Sequence, residues 1–151
     1  MKINKMDLEK YVLRFLGIRP RSQFEMQQRL KQRGYLDVDI KKVIKKLKNE
    51  GLLDDSNFAE LWVHNRHSLK PKGKRLLNLE LRQKGISEKI IEKVLDYSDD
   101  QEIKLAQKVL SSKLKMYQNI DKWKLKQKLL AFLSRRGFSY DVSAQAIEKY
   151  I

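Results

Sequence analysis

Apolar residues recur along this chain at three- and four-residue spacing, the period of helices that bury one face and wet the other. Leu8, Tyr11, Val12, Phe15 and Leu16 form the first such stripe and predict a helix from about Asp7 to Gly17, ended by the glycine. Arg19-Pro20-Arg21 forms a stiff turn. Ser22 then opens a second helix. Glu25, three residues on, completes a capping box that satisfies two otherwise unpaired backbone donors. Met26 and Leu30 mark the inner face of that helix. Gly34 stands where a helix end wants a left-handed residue, a conformation glycine adopts without a Cβ penalty. After Tyr35 and Leu36, Asp37 or Asp39 caps a third helix with Ile40, Val43, Ile44 and Leu47 inside. Its outer face carries Lys41, Lys42, Lys45, Lys46 and Lys48, and Gly51 stops it.

The same arrangement then returns. Gly34, Gly85 and Gly137 lie 51 and 52 residues apart (85−34, 137−85). Each has a leucine four residues before it (Leu30, Leu81, Leu133), a basic residue immediately before (Arg33, Lys84, Arg136) and a large apolar residue after (Tyr35, Ile86, Phe138). Val43-Ile44, Val94-Leu95 and Ala146-Ile147 follow nine and ten residues beyond the glycines. A period near 50 marks one supersecondary unit copied and stacked.

The second copy restarts at Asp54-Asp55-Ser56, with Phe58, Leu61 and Trp62 facing inward. Arg66 through Arg75 reads as a looser loop containing Pro71 and Gly73. Leu77 and Leu81 lead to Gly85, Ser87 caps again, and Ile90, Ile91, Val94 and Leu95 complete the unit. Asp96, Asp99 and Asp100 make an acidic linker that leaves some freedom between units. The third copy holds Ile103, Leu105, Ala106, Val109 and Leu110, a loop near Asn119, and a helix capped by Asp121 with Leu125, Leu129, Phe132 and Leu133. Ser139 caps the last helix, with Val142, Ala146, Ile147 and Tyr150 inside.

The expectation is an all-α protein of nine helices in three triplets, at 1–53, 54–98 and 99–151. No triplet buries its apolar face alone, so the units stack into an elongated array. Such an array offers a surface to something long rather than a pocket for chemistry.

Composition sharpens this. Six Gly and two Pro in 151 residues suit long helices with short turns. Net charge is +15 and the pI about 9.9, which points to a polyanion: nucleic acid first, an anionic membrane surface second. The chain has no Cys, so disulfides, thiolate metal sites and cysteine nucleophiles are excluded together. No apolar run approaches the ~20 residues that span a bilayer, and the N-terminus has no signal-peptide core. The expected location is the cytoplasm and the expected state a monomer.

Catalytic chemistry finds little here. His64 and His67 stand three apart, with Glu60 one turn before His64, but there is no third histidine and no Cys to complete a metal site. Pro71-Lys72-Gly73-Lys74-Arg75 lacks the upstream glycine of a phosphate-binding P-loop. We expect no enzyme, no metal and no cofactor.

The basic segments say more. Arg66, Lys70, Lys72, Lys74 and Arg75 lie together without an intervening acid. Lys122, Lys124, Lys126 and Lys128 line a helix start around Trp123, and Arg19, Arg21, Arg29, Lys31 and Arg33 surround the first capping box. Repeated along one side of an array, such clusters suit a backbone of periodic negative charge. The lysine face from Lys41 to Lys48 serves equally as a solvated surface. Trp62, Trp123, Tyr117 and Tyr140 are candidates for base stacking, although Trp62 and Trp123 fall near apolar stripes and are expected in the core.

Several runs resemble the RecX family of regulatory proteins. Gly51-Leu52-Leu53-Asp54-Asp55 with Phe58-Ala59 is similar to the opening of that family's second repeat. Glu80-Leu81-Arg82-Gln83-Lys84-Gly85-Ile86 resembles its second-repeat turn, and Leu133 through Val142 its C-terminal motif. The likeness runs from about Tyr11 to Ile151. It implies tandem three-helix repeats in a curved, right-handed superhelix. It implies modulation, most often inhibition, of the RecA recombinase in homologous recombination and the SOS response, from within the groove of the RecA–DNA filament. It also implies contacts to single- and double-stranded DNA through phosphates, and no catalytic residues. On charge and likeness together, the expected filament- and DNA-binding residues are Arg19, Arg21, Lys70, Lys72, Lys74, Arg75, Lys122, Lys126, Arg135 and Arg136. The rival expectation is a plain DNA-binding module, each glycine turn serving a helix-turn-helix. A weaker third is a helical scaffold whose basic face only keeps it soluble.

Overall fold

The computed structural model describes residues 5–151, and among them the regular structure is helical throughout. Helices α1 (Lys5–Ile18), α2 (Gln23–Gln32) and α3 (Asp37–Asn49) form the first unit. The second comprises α4 (Asp55–Leu69), α5 (Lys74–Gln83) and α6 (Glu88–Val94). The third comprises α7 (Asp99–Lys113), a 3-10 turn at Leu114–Met116, α8 (Lys122–Arg135) and α9 (Tyr140–Glu148).

Each unit has its own core. Leu8, Val12, Met26, Leu30, Ile40 and Leu47 pack together in the first, Phe58, Ala59, Leu77, Leu81 and Ile91 in the second, and Ala106, Leu110, Leu129, Leu133 and Ile147 in the third. The sequence stripes thus point inward within their own triplet, so each unit buries its apolar face within itself, contrary to the expectation that burial requires a neighbour.

Helix starts follow the capping chemistry with some differences. Ser22 and Glu25 form the capping box, and Asp54, Ser87 and Ser139 accept from backbone N–H groups one turn on. Leu36, rather than either aspartate, is the N-cap of α3. Asp37 and Asp39 lie in its first turn, where carboxylates meet the positive end of the helix dipole. Gly17 does not end α1, which runs on to Ile18. Gly34, Gly51, Gly85 and Gly137 all take positive φ and end their helices as the spacing required.

The loop expected from Arg66 to Arg75 is shorter: only residues 70–73 lie outside helix, because α4 continues to Leu69 and α5 starts at Lys74. Asp99 and Asp100 are likewise the first turn of α7 rather than linker.

The units do not hang on slack linkers. The starts of α2 and α5 each dock on the glycine turn of the following unit. Between units 1 and 2, the Ser22 hydroxyl donates to the Lys84 carbonyl at 2.7 Å, and the Gln23 N–H donates to the Asp55 carboxylate at 2.9 Å. Between units 2 and 3, the Gly73 N–H donates to the Arg136 carbonyl at 2.8 Å. There the Lys74 N–H donates to the Glu102 carboxylate at 3.1 Å, and Arg75 donates to the Ser134 carbonyl at 2.7 Å. In both joints the first helix of the next unit supplies a carboxylate to a helix N-terminus, where unpaired N–H groups need one. Burial pushes the Asp55 carboxyl above its ordinary pKa.

Two turn glycines do a second job here. A Cβ on Gly85 would overlap Phe24, and one on Gly137 would overlap Leu76. Gly73 meets Gly137 backbone to backbone, with no room for a methyl group. Gly34 has open space where a Cβ would point.

Candidate nucleic-acid interface

Whether a basic residue is available to a polyanion depends on whether the fold has already given it a partner. The cations singled out in the sequence divide sharply on this test.

Those of the 66–75 segment are mostly occupied. Glu80, in the middle of α5, accepts from the Trp62 indole N–H at 2.8 Å and from Arg66 at 3.2 Å, and pairs with Lys72. Burial pushes its carboxyl up, but the hydrogen bonds from Lys72 and Trp62 and the charge of Arg66 outweigh that, and its pKa falls below the ordinary value. Lys74 donates to the Tyr97 carbonyl at 2.5 Å and lies 4.6 Å from the Tyr97 ring centroid. Arg75 closes the joint to unit 3. Only Lys70 is exposed without an ion pair or hydrogen bond among the described residues. The acid that neutralises this cluster lies outside the segment, eight residues beyond Lys72.

The corner between α1 and α2 is built differently. Tyr11 and Phe15 stack at 6.0 Å with their planes within 9°. The Arg21 guanidinium lies 3.8 Å from the Phe15 centroid and its Nε donates to the Phe15 carbonyl at 3.3 Å. Arg29 donates to the Tyr11 hydroxyl at 2.7 Å, and Arg33 lies 4.3 Å over the Tyr11 ring. Arg19 is spent on Glu25, with a contact at 2.5 Å. Arg21, Arg29 and Arg33 form no salt bridge among the described residues. Burial, then repulsion from Arg19, lowers the pKa of Arg21. Stacking fixes these guanidiniums and leaves N–H edges free, the geometry that forks phosphate oxygens.

A second positive surface is the groove between α2 and α3, about 530 Å³, lined by Gln23, Gln27, Lys41, Lys45 and Lys48. The matching groove between α5 and α6, about 620 Å³, has Glu92 and Asp96 at the places of Lys41 and Lys45, beside Arg75 and Arg82. Only the first is uniformly cationic.

In unit 3, Lys122 and Lys126 are exposed on α8, and Arg135 is exposed at its end. Arg136 lies 5.5 Å over Phe132 and is half-buried. Trp62 packs against the unit 2 core as expected. Trp123, expected in a core, is 67% exposed, and Leu61 is also exposed.

His64 and His67 line a cleft of about 550 Å³ between α4 and α7, with Lys104 and Lys108 on its far side. His67 Nε2 lies 3.3 Å from the Tyr97 hydroxyl. Burial, then the charges of His64 and Lys108, lowers the His67 pKa from its ordinary value. Among the described residues no group of three or more His, Asp and Glu side chains has the geometry of a metal site.

Sequence reasoning saw Arg29 and Arg33 in a cluster but left them off the binding list. The available signal was the repeat itself, which sets Arg29 against Glu80, 51 residues on (80−29).

Comparison with known proteins places this geometry. The chain matches the RecX first three-helix domain over residues 10–47, the second over 54–95 and the third over 99–147. Regulatory protein RecX of Mycobacterium sp. (strain KMS) is 35% identical over 142 residues, spanning 91% of this chain and 78% of that protein. Regulatory protein RecX of Finegoldia magna is 34% identical over 141 residues, spanning 91% and 69%. The crystal structure of RecX from Lactobacillus salivarius superposes with a TM-score of 0.87 at 25% identity, covering 96% of this chain and 95% of that one.

Proposed function

The chain belongs to the RecX family of regulatory proteins, and from that premise we propose that it modulates a RecA recombinase filament, inhibiting its growth, its ATP hydrolysis and its strand exchange. Regulation by occupancy needs no reactive group. It needs a stiff body of the right charge. The three units joined by hydrogen bonds at both junctions supply the stiffness, and a net charge of +15 supplies the attraction. The protein acts as a monomer in the cytoplasm and lies along the filament groove across more than one RecA protomer.

The observation that carries this reading is the arginine corner of unit 1, where Arg21, Arg29 and Arg33 form no salt bridge among the described residues, joined through the hydrogen-bonded units to the exposed lysines of α8. Two separated cationic ends on a fixed frame suit a long polyanion better than a point ligand. Arg21, Lys70, Lys122, Lys126 and Arg135 contact DNA phosphate or acidic RecA surface. Arg19, Lys72, Lys74, Arg75 and Arg136 act mainly by holding the frame.

The test is RecA-dependent ATP hydrolysis on single-stranded DNA with substoichiometric protein. Hydrolysis should fall below what one blocked protomer per added molecule explains; an unchanged rate overturns the proposal. One observation favours a second reading. The cationic α2/α3 groove has the shape of a helix-turn-helix, and DNA binding without RecA specificity would use it. Its helix offers lysines rather than the Asn, Gln or Arg that read base edges. Equal affinity for bare and RecA-coated DNA would favour that second reading.

A further inference from the structure

The middle helices of the three units are not equivalent at their starts. Helices α2 and α5 both begin 11 residues before their turn glycine (34−23, 85−74), whereas α8 begins 15 before (137−122). Unit 3 therefore carries an extra helical turn. In units 1 and 2 the corresponding stretch is non-helical and leads into a joint. Pro20 and Pro71 occupy the place of Trp123, each 14 residues before the glycine (34−20, 85−71, 137−123). Pro71 is buried beside the junction with unit 3.

The water-facing surface of a helix is expected to be polar. Lys122, Lys124 and Lys126 meet that expectation, all exposed and none in a salt bridge among the described residues. Trp123 does not. Its indole is 67% exposed in the midst of these lysines. Among the described residues it stacks on no other ring, and no Lys or Arg lies over its face. Trp62, the other tryptophan, has its N–H bonded to Glu80 and its ring against Phe58. The extra turn thus holds a large aromatic face out in water on a rigid helix, ringed by cations.

We infer that Trp123 is a stacking platform for a nucleobase of single-stranded nucleic acid, with Lys122, Lys124 and Lys126 holding the flanking phosphates. This rests on the nucleic-acid contact proposed above and names a place and a strand state for it. Indole–base stacking needs a base whose face is open. A single strand offers one, whereas a duplex keeps its faces stacked inside. Every base has such a face, so contact is sequence-tolerant. Lysine charge adds the salt-dependent part.

The experiment uses the full chain and oligo(dT), with emission taken as wild type minus Trp123→Phe so that Trp62 cancels. Oligo(dT) should quench the Trp123 signal. Trp123→Ala should bind oligo(dT) roughly five- to a hundredfold more weakly, keep its helical circular dichroism, and bind duplex DNA as wild type does. Its salt slope should stay unchanged, because stacking releases no counterions. Replacing Lys122, Lys124 and Lys126 by Ala should lower the slope by about 2. Unchanged oligo(dT) affinity in Trp123→Ala, or an equal loss on duplex, overturns the inference while leaving the proposed function standing. Failure of the wild type to bind any DNA also overturns the inference, and the ATP hydrolysis assay then decides the proposed function separately. A blue shift on phosphatidylglycerol vesicles without quenching by oligo(dT) overturns it in favour of a membrane surface.

Discussion

Units 1 and 2 carry the same corner, 51 residues apart, built to opposite electrical ends. Tyr11 matches Trp62, Phe15 matches Arg66, Arg21 matches Lys72 and Arg29 matches Glu80. In unit 2 the acid gathers the indole and two cations into a closed cluster. In unit 1 an arginine stands in its place, and the cations spread over a Tyr–Phe platform. One position decides whether a basic cluster builds the frame or faces outward. The 66–75 segment carries five cations with no acid between them, yet the fold consumes most of them, so charge clustered along a chain is a poor guide to charge available in space.

The comparison can be broken at several levels. The largest effect is expected at the joint beside the unit 2 corner. Gly73→Ala forces a methyl group into the Gly137 backbone and should cost about 3 kcal/mol or more, read as a lowered melting temperature with unit 3 losing hydrogen-exchange protection first. Next is Glu80→Arg, which gives unit 2 the charge of unit 1 and leaves the Trp62 indole N–H without its acceptor. Arg66 and Lys72 lose their acid, and the protein should lose about 2–3 kcal/mol.

Glu80→Gln should cost about 1 kcal/mol at neutral pH, and its pH dependence sharpens the point. The folded-state pKa of Glu80 is lowered, so its contribution is complete above the ordinary value of 4.5 and is lost as pH falls through the folded value. The stability gap between wild type and Glu80→Gln should therefore shrink on acidification below about pH 4.5, measured by urea unfolding at several pH values.

The smallest effect on folding and the clearest on binding is expected from Arg29→Glu, which installs the unit 2 acid in unit 1. Stability should change by no more than about 0.5 kcal/mol. Affinity for DNA should drop roughly tenfold at low salt, and the salt slope should fall by about 2 as Arg29 is lost and Arg21 neutralised. A variant that binds and inhibits as wild type would remove the unit 1 corner from the interface. Reversing Lys72, Lys74 and Arg75 together would report on folding instead, since each has a partner in the frame.

What the amino-acid sequence determined by itself was local. Helical stripes, serine and aspartate caps and the left-handed glycines at 34, 85 and 137 depend on neighbours a few residues away, and their recurrence counted the units. The free and the spent cations were decided by the tertiary structure. Lys84 meets Glu25 across 59 residues of chain and Arg75 meets Ser134 across another 59, so nothing in the sequence around either residue announces the contact. Trp123 was misplaced for the same reason. Apolar spacing says that a side chain fits a buried stripe, but whether anything covers the stripe is decided in space, and none of the described residues covers Trp123.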